Sequence, residues 1–291
     1  MDTREILKKV RLIEIKTRGV VNQVFSGEYH SVFKGRGIEF SEVREYQYGD
    51  DIRTIDWNVS ARLNHPFVKV FEEERELTVM LLVDFSNSGN FGTGTQLKSE
   101  IAAEICAVLA FSAIKNNDKV GLLLFTDRIE KFVPPKKGRA HILRIIRELL
   151  SFQPKGTGTS IRSALEYFNH VNKKRTIAFI ISDFIDDGYD HILRIISRKH
   201  DLIAVELADQ REEQLPDAGL VKLRDAETGQ DRWVDTGDPA VRREFAWFWK
   251  TRRAERRSMF VKSKVDAIHI RVDRPYIKPI IDFFKMRESR W

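Results

Sequence analysis

The sequence predicts an α/β protein, with a mostly parallel central sheet, helices on both of its faces, and additions at the N- and C-terminal ends of the chain. Three observations carry this. The runs TVMLLVD (78–84), KVGLLLF (119–125), TIAFIIS (176–182) and DLIAVEL (201–207) are short, branched and nearly continuous in apolar character, as strands covered on both faces are. Helical patterns alternate with them: QLKSEIAAEICAVLAFSAIK (96–115), RAHILRIIRELLSF (139–152), SIRSALEYFNHV (160–171) and DHILRIISRK (190–199). Finally, 291 residues with 42% hydrophobic and 32% charged side chains suffice for a sizeable core in a globular chain.

Three regions follow in order. Residues 1–76 open with an amphipathic helix, in which Ile6, Leu7, Val10, Ile13 and Ile15 recur at roughly helical spacing, and continue through charged, glycine-punctuated segments. This N-terminal signature region is expected to pack on the core, residues 77–208. Residues 209–291 hold a hairpin, GLVKLRDAETGQDRWVDT, turning at Glu227-Thr228-Gly229, then a basic aromatic helix, a strand AIHIRV (267–272) able to extend the sheet, and a closing helix after Pro279. These elements are expected to complete the core.

Composition narrows the function classes. No apolar run reaches the roughly 18–20 residues of a membrane-spanning helix, and MDTREILKKV lacks the apolar centre of a signal peptide. Cys106 is the only cysteine, so no internal disulfide forms, and the expected location is the cytoplasm. Fifty Lys and Arg against 43 Asp and Glu leave a charge of +7. Residues 241–264 carry nine basic and two acidic residues, interleaved with Phe245, Trp247, Phe248, Trp249 and Phe260. Because Phe245, Phe248 and Trp249 share one helical face, that face is expected to pack and leave the arginines solvated; the competing reading is a nucleic-acid surface.

The first core strand ends in VDFSNS, so its apolar run gives way to Asp84, Ser86 and Ser88. In open α/β sheets ligands sit beyond the carboxyl ends of strands. Asp183 follows TIAFIIS directly, and Thr157 lies in GTGTS before the helix near Ser160. Two carboxylates and three hydroxyls are hard oxygen donors, suited to Mg²⁺, Mn²⁺ or Ca²⁺. The histidines at 30, 65, 141, 170, 191, 200 and 269 have no zinc spacing. A strand-end Asp can instead cap a helix, and Ser or Thr can close a turn.

Asp-x-Ser-x-Ser at a strand end, a Thr in a glycine-rich turn and an Asp after a later strand together resemble the metal-ion-dependent adhesion site of von Willebrand factor A domains. The resemblance implies a Rossmann-like von Willebrand A core. It further implies that Ser86, Ser88 and Thr157 coordinate a metal, that Asp84 and Asp183 hold it directly or through waters, and that a protein partner supplies a carboxylate to the open position. Haloacid-dehalogenase-like phosphatases also end a strand in Asp, but need a second Asp where this chain has Ser86. No GxxxxGK[ST] or GxSxG motif is present.

Upstream, EFSEVREYQYGDDIRTIDWNVSARLNHPFVKVFEEERE (39–76) mixes charge with bulky apolar groups. Arg44, Tyr46, Asp50, Asp51, Arg53, Asp56, Trp57 and Arg62 read as a structural ion network at a packed junction. The order of these residues, with VKVFEEERE and the Asp-x-Ser-x-Ser strand behind them, is similar to the bacterial family known as domain of unknown function 58. LPDAGLVKLRDAETGQ and DRPYIKPIIDFFKMRESR extend the similarity over nearly the whole chain. The resemblance implies a non-catalytic adaptor or co-chaperone, metal-dependent and working with a MoxR-type AAA+ ATPase. A metal-dependent phosphoesterase-like enzyme is the alternative, and nucleic-acid binding through 241–264 is a further one.

Overall fold

A computed structural model describes residues 6, 8–15, 17, 39–72, 77–92 and 96–290. Leu7, His30 and residues 73–76 of the signature lie outside them. The chain divides into two compact units, residues 33–76 and the remainder.

In the smaller unit, β1 (Glu39–Glu45) pairs antiparallel with β2 (Phe67–Glu72), in a register that sets Glu45 against Phe67 and Val43 against Lys69. Between them run a 3-10 turn, Ile52–Thr54, and α2 (Trp57–Leu63). Asp51 caps the turn by accepting from the Arg53 amide, and Asp56 caps α2 by accepting from the amides of Asn58 and Val59. The helix stops at Asn64, whose left-handed backbone (φ 56°) suits an asparagine at a helix end.

In the larger unit, α1 (8–15) buries Val10 and Ile13, and Ile6 just ahead of it, as the spacing requires, while Ile15 is exposed and falls off the stripe. Lys9 pairs with Glu100 at 3.1 Å and Glu14 accepts from Arg139 at 2.7 Å.

The main sheet has the order β10-β7-β6-β3-β4-β5. Its strands are β3 (Thr78–Asp84), β4 (Lys119–Phe125), β5 (Ile129–Lys136), β6 (Ile177–Ser182), β7 (Asp201–Ala208) and β10 (Asp266–Arg271). All neighbours are parallel except β5, which turns back antiparallel on β4. The four apolar runs are therefore the four inner strands. Strand β5 was not legible as one, because Pro134 and Pro135 interrupt it; at the sheet edge their missing amide donors cost little. AIHIRV does extend the sheet, at the opposite edge.

Helices cover both faces: α3 (Lys98–Lys115), α4 (Arg139–Ser151), α5 (Ile161–Val171) and α6 (Asp190–Ile196). Helix α3 is buried nearly all round, which its alanine-rich composition permits. Met80 and Leu82 of β3 pack with Leu165, Phe168, Leu193 and Phe260. In β4, Gly121 is required, since a Cβ there would stand 2.4 Å from Met80 Sδ.

A short helix α7 (Gln210–Glu213) leaves β7, followed by the hairpin β8 (Leu220–Arg224) and β9 (Asp231–Asp235), the basic helix α8 (Pro239–Lys262) and α9 (Ile277–Glu288). Helix α9 begins ahead of Pro279, not after it, because the first-turn amides of a helix have no intrahelical acceptor to lose. Arg287 fastens α9 to the sheet through Asp201 (2.7 and 2.9 Å) and Asp266 (2.7 Å).

Along α8, Phe260 is buried and Phe245 and Trp249 are half-buried, but Phe248 is exposed. Nor are the arginines all solvated. Arg256 is 12% exposed and pairs with Glu206 at the end of β7, where His269 Nδ1 also meets Glu206 at 2.9 Å.

Candidate functional site

Strand order places the switch point between β3 and β6: from β3 the chain moves to β4 and β5 on one side, then returns to β6 on the other. Asp84 ends β3 and Asp183 follows β6, so both stand at the crevice where open α/β sheets take ligands.

The loop after β3 folds on its own side chains. Asp84 Oδ1 accepts from the Ser86 amide at 2.9 Å, and the Gly89 amide donates to the Ser86 carbonyl at 3.0 Å. That turn places the Ser86 and Ser88 hydroxyls 3.0 Å apart. Asp84 Oδ2 accepts from the Ser182 hydroxyl at 2.6 Å, across the parallel pair β3 and β6. The Ser182 oxygen in turn accepts from the Phe184 amide at 2.9 Å.

Thr157 reaches this loop through its backbone, whose carbonyl accepts from the Asn87 amide at 3.1 Å. Its segment is pinned by Glu130, which accepts from the amides of Lys155 (3.0 Å) and Gly156 (2.7 Å). Gly156 is required: a Cβ would lie 2.0 Å from Asp127 Oδ1 and 2.2 Å from Thr126 Oγ1. The Thr157 side chain is exposed. Asp84, Ser86, Ser88 and the Thr157 segment are thus joined by hydrogen bonds, and Asp183 lines a small cavity together with Asp84 and Ser88.

Lys98, which sequence reasoning passed over, belongs to this cluster. The lysine opens α3, is 2% exposed, and donates to Asp183 Oδ2 at 3.1 Å and Glu212 Oε1 at 2.5 Å. Glu212 is set by a capping box on α7, its other oxygen accepting from the Asp209 amide at 3.2 Å. A lysine in a helix's first turn ordinarily signals a solvated face, and its partners lie 85 and 114 residues away. The available signal was the pattern Asp209-x-x-Glu212 directly after an apolar strand.

Charge in the cluster is unbalanced. Burial and the neighbouring Asp183 carboxylate push the Asp84 carboxyl up to about 7. Burial also raises Glu212, against the pull of Lys98. For Lys98, burial works against its charge, but Asp183 and Glu212 outweigh it and its pKa is raised.

Beside Ser88 opens a groove of about 860 Å³. One wall is the hairpin, with Leu223, Glu227 and Val234, and the other is α8, with Val241, Phe245 and Phe248.

The signature residues form local structure in the smaller unit. Arg44 grips Asp50 through two hydrogen bonds of 2.8 Å, which hold the Asp50 carboxyl down to about 2. Asp51 and Asp56 are caps, and Lys69 lies 3.5 Å from Asp56. Trp57, Arg53 and Arg62 are exposed, and Tyr46 donates its amide to the Pro66 carbonyl at 2.9 Å. Among the described residues the signature supplies these caps, the forked Arg44–Asp50 pair and the Lys69–Asp56 contact.

The donors suit a hard divalent cation. Asp84 and Asp183 line one cavity with Ser88, whose hydroxyl lies 3.0 Å from that of Ser86, and a cation there would offset the repulsion between the two carboxylates. Among the described residues no three His, Cys, Asp or Glu side chains group as metal ligands, so hydroxyls and waters would have to complete the shell.

The sequence model of the family described as "Protein of unknown function DUF58" matches residues 42–255. An uncharacterized protein of Mycobacterium tuberculosis H37Rv is 31% identical over 290 residues, covering 99% of this chain and 91% of its own. Among solved structures, the conserved hypothetical protein BatB of Bacteroides thetaiotaomicron has a TM-score of 0.47 and 16% identity, over 74% of this chain and all of its own. The von Willebrand A domain of SpRpn10 has a TM-score of 0.41 and 10% identity, over 72% of this chain and 95% of its own.

Proposed function

The chain belongs to the DUF58 family, and on that premise we propose that it is a non-catalytic protein-binding module whose binding surface is built around a divalent cation. The observation that carries this reading is the meeting of Asp84 and Asp183 at the switch point with the hydroxyl pair Ser86 and Ser88. With its carboxylates ionised, the cluster sets Asp84, Asp183 and Glu212 against the single ammonium of Lys98, a net of two negative charges that one divalent cation balances.

Ser86, Ser88 and Thr157 would contribute hydroxyl oxygens, and Asp84 and Asp183 would hold the ion directly or through waters. Mg²⁺ suits such a site, since it binds through few protein oxygens and keeps waters; Mn²⁺ and Ca²⁺ share the donor preference. Bound there, the ion would offer an exchangeable position to a partner's carboxylate. Ser182 holds Asp84 in place and Lys98 neutralises Asp183, so both carboxylates are oriented before any ion or partner arrives. The groove beside Ser88 gives the partner an apolar flank to cover.

On the family resemblance the partner proposed is a MoxR-type AAA+ ATPase, for which this chain would act as adaptor or co-chaperone. No described helix is long and apolar enough to cross a membrane, and the chain is read as acting in the cytoplasm. Pull-down with that ATPase tests the reading. Capture by the wild type in Mg²⁺, lost in EDTA and in Asp84→Ala, is the expected result, and capture indifferent to both would overturn it.

A further inference from the structure

We propose that Glu227 is a metal-site residue of this chain, carried by the β8–β9 hairpin into the position that a partner's carboxylate would take. The inference rests on the metal-binding reading above and adds to it a ligand contributed by the C-terminal region.

The hairpin is built to present this side chain. Strands β8 and β9 pair only with each other among the described residues. Their base is tied by Thr236, whose amide and hydroxyl both donate to the Gly219 carbonyl at 2.8 Å. At the tip, Asp225 Oδ1 accepts from the amides of Glu227 (2.9 Å) and Thr228 (2.8 Å), and Gly229 supplies the positive φ of 70° that the turn needs. Glu227 is fixed at its backbone by Asp225, and its side chain reaches Thr159 on the loop before α5.

Its carboxylate meets the candidate ligand loop. Glu227 Oε1 accepts from the Thr159 hydroxyl at 2.6 Å, a contact spanning 68 residues, and Oε2 faces Gly158. Thr159 and Gly158 directly follow Thr157, and Glu227 lines the same groove as Ser88. The side chain is half-buried, and no hydrogen bond engages its second oxygen among the described residues. Burial holds its carboxyl above the usual range, against the hydrogen bond from Thr159, which lowers it.

Glu227 is half-buried and held by one oxygen, leaving the other for a cation. A partner's acidic residue would then have to displace Glu227, so the hairpin would set how strongly a carboxylate must bind to engage.

Mn²⁺ in place of Mg²⁺ gives the test, with the full chain as wild type, Glu227→Gln, Glu227→Asp and Asp84→Asn. Affinity and the number of metal-bound waters are read from water-proton relaxation. Glu227→Gln should bind Mn²⁺ about tenfold more weakly, the scale on which ligand charge tunes such sites, and carry one more exchangeable water. Glu227→Asp, which keeps the charge but shortens the reach, should behave likewise. Wild-type affinity and hydration in Glu227→Gln, or in Glu227→Asp, would overturn the role of Glu227 while the metal reading stood. Failure of the wild type to bind Mn²⁺, or binding by Asp84→Asn equal to wild type, would overturn both.

Discussion

The ammonium of Lys98 lies 3.1 Å from the Asp183 carboxylate, and both side chains are almost wholly shielded from water. A buried cation between two carboxylates stabilises only as a set. Removing it leaves Asp183 and Glu212 without compensation in a medium that cannot solvate them. Lys98→Met should therefore lose about 3–5 kcal/mol in urea unfolding with EDTA present. A loss within about 0.5 kcal/mol would show that water already reaches these carboxylates.

Helix α8 divides its arginines between the protein and the solvent. Arg256 is paired with the buried Glu206, whereas the next residue, Arg257, is exposed. Arg256→Met should destabilise by about 3 kcal/mol and Arg257→Met by less than about 0.5 kcal/mol, both by chemical denaturation. Equal effects would contradict the paired role of Arg256.

His200 is 2% exposed, packs on Phe168 at 4.7 Å between ring centroids, and neither ring nitrogen has a hydrogen-bond partner among the described residues. Burial, with Lys199 beside it, lowers its pKa to about 4, below the usual histidine value of 6.5. Above pH 6.5 both folded and unfolded chains hold it neutral. Between about 6.5 and 4 the unfolded chain takes the proton more readily, so stability falls as pH falls, by up to about 1.4 kcal/mol per pH unit. The His200→Leu variant should show a shallower slope in that window when unfolding is followed against pH.

Nucleic-acid binding through α8 should be weak. Arg252 pairs with Asp187 at 2.9 Å, Arg253 with Glu213, Arg256 with Glu206, and Arg242 with Asp217 at 3.2 Å, which neutralises much of the helix's basic excess. Fluorescence anisotropy with a short duplex should give no affinity tighter than about 1 μM at physiological salt. Tighter, steeply salt-dependent binding would restore the nucleic-acid reading.

The inner strands were legible because both their faces are buried, which forces continuous apolar runs such as VMLLV in β3. The edge strand β5 was not, since an edge tolerates Pro134 and Pro135 and needs no such run. At the site, Asp84, Ser86 and Ser88 stood out because three polar groups end an apolar strand. Lys98 and Glu227 did not, because their meaning lies in contacts with Asp183 and Thr159, far off in sequence and on other elements. Spacing reports neighbours along one element; it carries no trace of pairs that only the folded sheet brings together. The same limit made the arginines of residues 241–264 look uniformly solvated.

Calorimetric titration of the chelator-treated protein with Mg²⁺, for the wild type and Asp84→Asn, tests the central claim most directly. A single saturable site in the wild type, lost in Asp84→Asn while the two proteins keep the same circular dichroism, is the expected result. No binding by the wild type, or equal binding by both, would contradict a cation-centred surface and leave Asp84 as a structural residue held by Ser182.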